Sequence, residues 1–195
     1  MKTKTLSAAP CRIAAGTFLL VSLLAFLLGI LAPRASLGAT AKEIDVSVDE
    51  ALSRFVREVG GAREFLAGAK GVLVFPRVIK AGIAVGGEYG EGALRIGGRT
   101  VDYYNTVAAS FGLQLGAQAK TIIIVFMQQD ALDQFRGSEG WKVGVDGSVA
   151  LVNLGAGGSI DTENIRDPIV GFVFGQKGLM FNLTLEGAKI TKLQK

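Results

Sequence analysis

"KGVLVFPRVIKAGIAVGGEYGEG", residues 70–92, joins a run of buried-strand character to a glycine-rich run. "GVLVF" is continuously apolar, the pattern of a strand covered on both faces, and Pro76 closes it. "AGIAVGGEY" then alternates, with Ile83, Val85 and Tyr89 set against Gly82, Ala84, Gly86 and Glu88. A strand that runs into glycines raises the question of a phosphate-cradling loop. The context answers it: "GGEYGEG" is neither G-x-G-x-x-G before a helix nor G-x-x-x-x-G-K-[ST], and "GQKG" at 175–178 has its lysine at the wrong spacing. The glycines are assigned instead to sheet geometry. Three of the 27 precede residue 42, which leaves 24 in the other 154 residues, and many alternate within strands: Gly82 and Gly86, Gly112 and Gly116, Gly171 and Gly175. Such positions permit sharp bends, bulges or the close approach of another element.

The strand pattern continues outward from this stretch. "ALRI" leads into a Gly97-Gly98 turn. Over 101–120 the alternation puts Val101, Tyr103, Val107, Ala109 and Phe111 on one face and Asp102, Tyr104, Thr106 and Ala108 on the other; its length predicts two strands or one strongly bent strand. "TIIIVFM", 121–127, reads as a central strand, and "QDALDQFR" after it as a short helix. "WKVGVDGSVALV" alternates with Trp141, Val143, Val145, Val149 and Leu151 inward. "GAGGSIDTENIRDP", 155–168, is a polar loop, and "IVGFVFG" and "LMFNLTLEGAKI" close the chain as strands. Without long helices between strands, the expected fold is α+β and mainly antiparallel β: a Gly-rich, bent-strand barrel or sandwich with an N-terminal amphipathic helical segment.

That segment is read over 47–59. Ser47 and Glu50 have the spacing of a capping box, Leu52, Phe55, Val56 and Val59 recur at helical spacing, and Gly60-Gly61 stops it. "AREFLAGAK", 62–70, follows as a second short helix.

The head of the chain differs from its body. Lys2, Lys4 and Arg12 precede the apolar stretch 13–32, and Ala39-Thr40-Ala41 fits an A-x-A cleavage site, so residues 1–41 are expected to be a signal peptide, with an uncleaved anchor as the alternative. The mature chain would start at Lys42 as one domain over 42–195, exported to the periplasm or cell envelope. Residues 1–41 hold four of the 21 basic residues and none of the 17 acidic ones, so the body is formally neutral and lacks the basic footprint of a nucleic-acid binder. Cys11 is the single cysteine and histidine is absent. These absences exclude disulfides, Ser-His-Asp and Cys-His nucleophile pairs, and Cys/His zinc sites. No cofactor is implied.

What remains is weak as chemistry. Glu88 and Glu91, with Asp102 or Asp146, are the candidates for a carboxylate pair, and "DTENIRD" lacks EF-hand spacing. Lys70, Arg77 and Lys80 bracket the first strand and its turn, while Lys177, Lys189, Lys192 and Lys195 lie near the last. Gathered on a rim, such cations attract anionic headgroups; as strand-end charges they protect edges.

"AKGVLVFPRVIKAGIAVGGEYGEG", "SFGLQLGAQAKTIIIVFM", "WKVGVDGSVA" and "FGQKGLMFNLTLEGAKITKL" together resemble the SYLF domain family, in colinear order over roughly 45–195. The resemblance implies lipid binding and no enzyme activity. Eukaryotic relatives bind phosphoinositide-bearing membranes, some also actin, with an N-terminal amphipathic helix in the membrane contact. The matching position here is 47–59, which makes Phe55 and Val56 the expected inserting residues and Lys70, Arg77 and Lys80 the expected headgroup contacts. In a bacterial envelope neither actin nor phosphoinositides are expected, so acidic phospholipids are the expected partner. The alternatives are a structural or protein-interaction domain, and a small outer-membrane barrel, against which stand "TIIIVFM", apolar on both faces, and the charged end "TKLQK".

Overall fold

The structure is a computed structural model that describes residues 38–83, 85–111, 116–154, 158–160, 165–177, 185 and 187–195. The expected signal segment, apart from its last four residues, lies outside these, as do residues 155–157 and 161–164 of the polar loop and most of "LMFNLTLEGAKI". Gly38–Lys195 forms one compact unit.

Its elements are α1 (Ala41–Glu58), α2 (Ala62–Ala67), β1 (Gly71–Ile83), β2 (Val85–Ile96), β3 (Arg99–Phe111), β4 (Gly116–Phe126), α3 (Gln129–Gly137), β5 (Trp141–Lys142), β6 (Ala150–Asn153), β7 (Ile169–Lys177) and β8 (Lys189–Leu193). The strands form one curled sheet, half a barrel, in the order β5-β8-β3-β2-β1-β4-β7-β6. Every pairing is antiparallel except β6 with β7. The expected α+β, mainly antiparallel fold is present, with a helix at its N-terminal side.

β4 lies inside the sheet, between β1 and β7, and is buried on both faces along Ile122–Phe126. Ile122, Ile124 and Phe126 join a core with Leu73, Phe75 and Leu94, closed by Leu132 and Phe135 of α3 and by Trp141. Phe135 is its hub, with ring centroids 5.0 Å from Tyr104, 4.9 Å from Phe126 and 5.5 Å from Trp141. On the other face Ile123 and Val125 pack with Val74, Ala93 and Phe172 beneath Ile44, Val48, Ala51 and Phe55 of α1.

α1 begins six residues earlier than the sequence predicts. Its N-cap is Thr40, whose hydroxyl accepts from the Glu43 N–H while Glu43 returns a carboxylate to the Thr40 N–H at 2.7 Å. Ser47 lies exposed in mid-helix. The Thr40–Glu43 spacing is also a capping-box spacing, but assigning Thr40 to a removed segment hides it. The residue just ahead is tied down too: the Ala39 N–H donates to Glu91 at 2.9 Å, and the Lys195 ammonium reaches the Ala39 carbonyl at 2.6 Å and Glu91 at 3.3 Å.

β1 carries one extra residue at Pro76. Val74 pairs with Ala93 of β2 but Arg77 already pairs with Glu91; on the other side Phe75 pairs with Ile122 and Val78 with Lys120. Proline has no N–H to give a ladder, so a bulge is where a central strand tolerates it. The Pro76 carbonyl is satisfied by the Thr121 hydroxyl at 2.9 Å. Gly92 of β2 makes the room: a Cβ there would collide with the Val74 carbonyl.

One alternation ends earlier than its spacing predicts. Val145 is 73% exposed and Leu151 is exposed as well, because the chain turns at Gly144 (φ 84°) after Val143 and the inward pattern stops there.

The cap and the bulge make testable claims. Thr40→Ala should lower the unfolding free energy by about 1 kcal/mol, whereas Ser47→Ala should change it by no more than about 0.5 kcal/mol, measured by denaturant unfolding. Gly92→Ala should cost more than about 2 kcal/mol by the same measurement, since the colliding atom is backbone.

Candidate functional site

The bulge sorts the predicted residues onto two faces. Before it, even-numbered residues of β1 face α1; after it, odd-numbered ones do. Arg77 is thereby turned to the α1 face and stays exposed, while Lys80 points to the opposite face and is buried.

Lys80 lies 3.5 Å from one Glu88 oxygen, and Lys120, 3% exposed, lies 2.7 Å from the other. One carboxylate thus holds two buried ammonium groups, joined across β1, β2 and β4. Sequence reading names Glu88 and Lys80 but not Lys120, which sits one residue before an apolar run and is buried by the curl of the sheet. The carboxylate pairing considered for Glu88 does not form. Glu91 lies on the other face and takes hydrogen bonds from the Tyr89 hydroxyl at 2.8 Å and from the Ala39 N–H. Asp102 is held by Arg136 at 3.5 Å and Lys192 at 2.5 Å, and Asp146 accepts from the Lys142 N–H. Among the described residues no cluster of three or more His, Cys, Asp or Glu side chains could hold a metal.

Phe55 is fully buried, its ring 5.2 Å from those of Phe172 and Phe174, and Val56 is half-buried. The first half of α1 is pinned as firmly. Asp45 accepts from Thr100 at 2.6 Å and Tyr103 at 2.9 Å, and Asp49 from Arg95 at 2.7 Å. Insertion of Phe55 into a bilayer therefore requires α1 to leave the sheet. Lys70 is exposed in the turn before β1 and borders a groove of about 310 Å³ with Leu52, Leu66, Val72 and Arg95. Arg77 borders a separate cavity of about 190 Å³ under α1. The five residues do not converge on one point.

The α1 face holds a feature that alternation alone reads the wrong way. Ile79 pairs with Tyr89 and Tyr89 with Val107, so the three form a row across β1, β2 and β3. They are 43%, 47% and 47% exposed. The next row toward the strand ends, Ala81, Gly87 and Ala109, is exposed and small. Arg77 stands two residues from Ile79, and Lys189 pairs with Val107, so cations border the apolar row on two sides.

Tyr104 faces the other way, into the core. Burial first, and the nearby Asp102 second, push its phenol up to about 12, against a smaller opposing effect of Arg136.

Two measurements test this geometry. Glu88→Gln leaves two buried ammonium groups without their carboxylate and should destabilise the fold by about 3–5 kcal/mol in denaturant unfolding. Because the Tyr104 phenol titrates higher in the fold than in the unfolded chain, its stabilising effect is complete below pH 10 and is lost as the pH rises from 10 through about 12. Unfolding free energies measured across that window should fall less in Tyr104→Phe than in the parent.

No curated protein matches the chain. Residues 107–195, which run from within β3 through β8, match the family described as Ysc84, Las17-binding protein actin regulator. The match is to the same family, also called SYLF, that the sequence blocks resemble.

Proposed function

We propose that residues 42–195 act as a non-enzymatic lipid-binding domain, exported to the bacterial cell envelope, that docks on membranes rich in acidic phospholipids. The observation that carries this reading is the row Ile79–Tyr89–Val107, exposed on the α1 face beside Arg77 and Lys189. Exposed neighbouring apolar side chains rimmed by cations are what an anionic interface takes up: the apolar groups leave water and the cations meet headgroups. SYLF domains as a family bind lipids and actin-related partners, which supports a lipid partner. Actin is not the expected partner in an envelope.

The entry of the chain favours the same face. Gly38 abuts Glu91, which also accepts from the Tyr89 hydroxyl. The apolar stretch 13–32 ends six residues before Gly38, a length that spans at most about 20 Å. If that stretch stays as an anchor, the body begins next to the apolar row; cleavage after Ala41 would remove Gly38 and Ala39 and this contact with them. In this reading Lys70 and Arg77 serve as headgroup contacts, and Phe55 and Val56 would contribute to a bilayer contact only if α1 undocks.

The test is co-sedimentation of Gly38–Lys195, without detergent, with vesicles of graded phosphatidylglycerol content in phosphatidylcholine. Binding should rise with anionic content and weaken with salt. Tyr89→Ser should weaken it at least fivefold, and Arg77→Glu about tenfold or more at low salt. Parental binding in both variants would remove the patch from the mechanism. A folded body that binds no vesicle would assign the same surface to a protein partner.

A further inference from the structure

The cavity beside Arg77 has features that α1 docking alone does not need. It measures about 190 Å³ and is lined by Ser47, Glu50, Ala51, Arg54, Pro76, Arg77 and Thr121. At ~15 Å³ of such space per water it holds several waters, room enough for a phosphate group.

Arg54 is held in place from three directions. Its Nη2 donates to the Thr121 hydroxyl at 3.1 Å. Its guanidinium stacks over the Phe174 ring, 4.8 Å from the centroid. Gly175, with φ at +64°, leaves the space it fills, because a Cβ there would collide with the guanidinium. So positioned, the group still has donors to spare. Its Nε is shut off from solvent and makes no hydrogen bond, although the Glu58 carboxylate stands 3.9 Å away as an ion-pair partner. A buried N–H without an acceptor is unfavourable, and a guanidinium offers planar pairs of donors suited to phosphate oxygens.

Charge narrows the ligand. The lining holds two guanidinium groups and the Glu50 carboxylate, and Glu58 stands beside Arg54, so the positive charge left over is at most one, which suits a singly charged phosphodiester better than a doubly charged monoester. Position narrows it further: Arg77 opens the cavity to the surface, and Ile79 lies two residues along the same strand face, ~7 Å away.

We propose that this cavity is a subsite for a singly charged phosphate diester, held by Arg54 and Arg77 with the Ser47 hydroxyl as a further donor. The diester of a phospholipid headgroup or of a soluble glycerophosphodiester has this chemistry. The proposal deepens the lipid-binding reading and rests on it for the membrane source of the ligand.

The experiment uses the full chain in uncharged maltoside micelles at constant ionic strength. Amide resonances of Ser47, Arg77 and Thr121 and the Arg54 Nε–H resonance are followed while glycerophosphoglycerol or inorganic phosphate is added. Saturable shifts at these four groups are expected, with the diester at least threefold tighter than phosphate. Arg54→Gln should weaken the diester at least tenfold. Should that variant lose the fold, Ser47→Ala, at an exposed helix position, should still weaken it about threefold. Shifts that do not saturate, that spread over the surface lysines, or that persist unchanged in these variants overturn the subsite.

Flotation with phosphatidylglycerol vesicles separates the sources. Loss of the preference for phosphatidylglycerol in the variants makes the ligand a headgroup; an unchanged preference beside a weakened diester titration makes it a soluble diester. Both outcomes support the subsite. Saturable diester binding by a parent that ignores vesicles would retire the membrane reading and keep the subsite. Vesicle binding without any diester shift would do the reverse.

Discussion

The single extra residue at Pro76 is the constraint on which the rest of the structure depends. Pro76 cannot donate to either neighbouring strand, yet β1 is paired on both sides, so the ladder has to step around it. The step reverses which side chains face α1. Without it Arg77 would point with Leu73 and Phe75 into the α3 core, and Lys80 would stand on the α1 side. With it, a cation and the row that follows reach the surface, and the lysine pair is turned inward onto Glu88. The Arg54–Thr121–Pro76 chain of hydrogen bonds then couples the helix to the step, so the position of α1 and the geometry of the bulge are one arrangement.

β4 imposes the second demand. A strand apolar on both faces needs two covers, and the chain supplies them from opposite directions in sequence: α1 from before the sheet, α3 from immediately after β4. This explains how a mainly antiparallel sheet in a chain of this size can be buried on both sides without βαβ crossovers. It also explains why the amphipathic character of α1 is fully used by the sheet. Its apolar stripe meets Phe172 and Phe174, and its first half is tied by two aspartates to β2 and β3.

Much of this was legible in the residues themselves. The double-sided apolar run of β4 and the switch from helical to alternating spacing near residue 71 follow from local pattern; the alternation over 101–120 leaves two strands or one bent strand open, and the chain makes β3 and a β4 that runs on into "TIIIVFM". What local pattern could not supply was the parity change at Pro76, because a bulge depends on what the partner strands tolerate, and only Gly92 reveals that tolerance. The exposure of Val107 and Tyr89 escaped for a related reason: alternation says which residues share a face but not which face is covered. Lys120 and Arg54 were invisible as partners because their contacts join strands and helices 32 to 67 residues apart. Thr40 was legible in principle, and was lost only to the competing reading of Ala39-Thr40-Ala41 as a processing site.

The meeting of Ala39, Glu91 and Lys195 has a consequence for connectivity. The two ends of the folded unit share one carboxylate, so the chain nearly closes into a ring, and the order of its elements along the polypeptide is separable from their order in space. Joining the ends by a short linker and opening the chain at the Gly97-Gly98 turn, where both glycines have left-handed backbones and a Cβ at either would meet nothing within 4 Å, would leave every strand pairing in place. The new ends would then emerge at the far side of β2 from Ile79 and Tyr89, which would make the direction in which the body is tethered a variable independent of its fold.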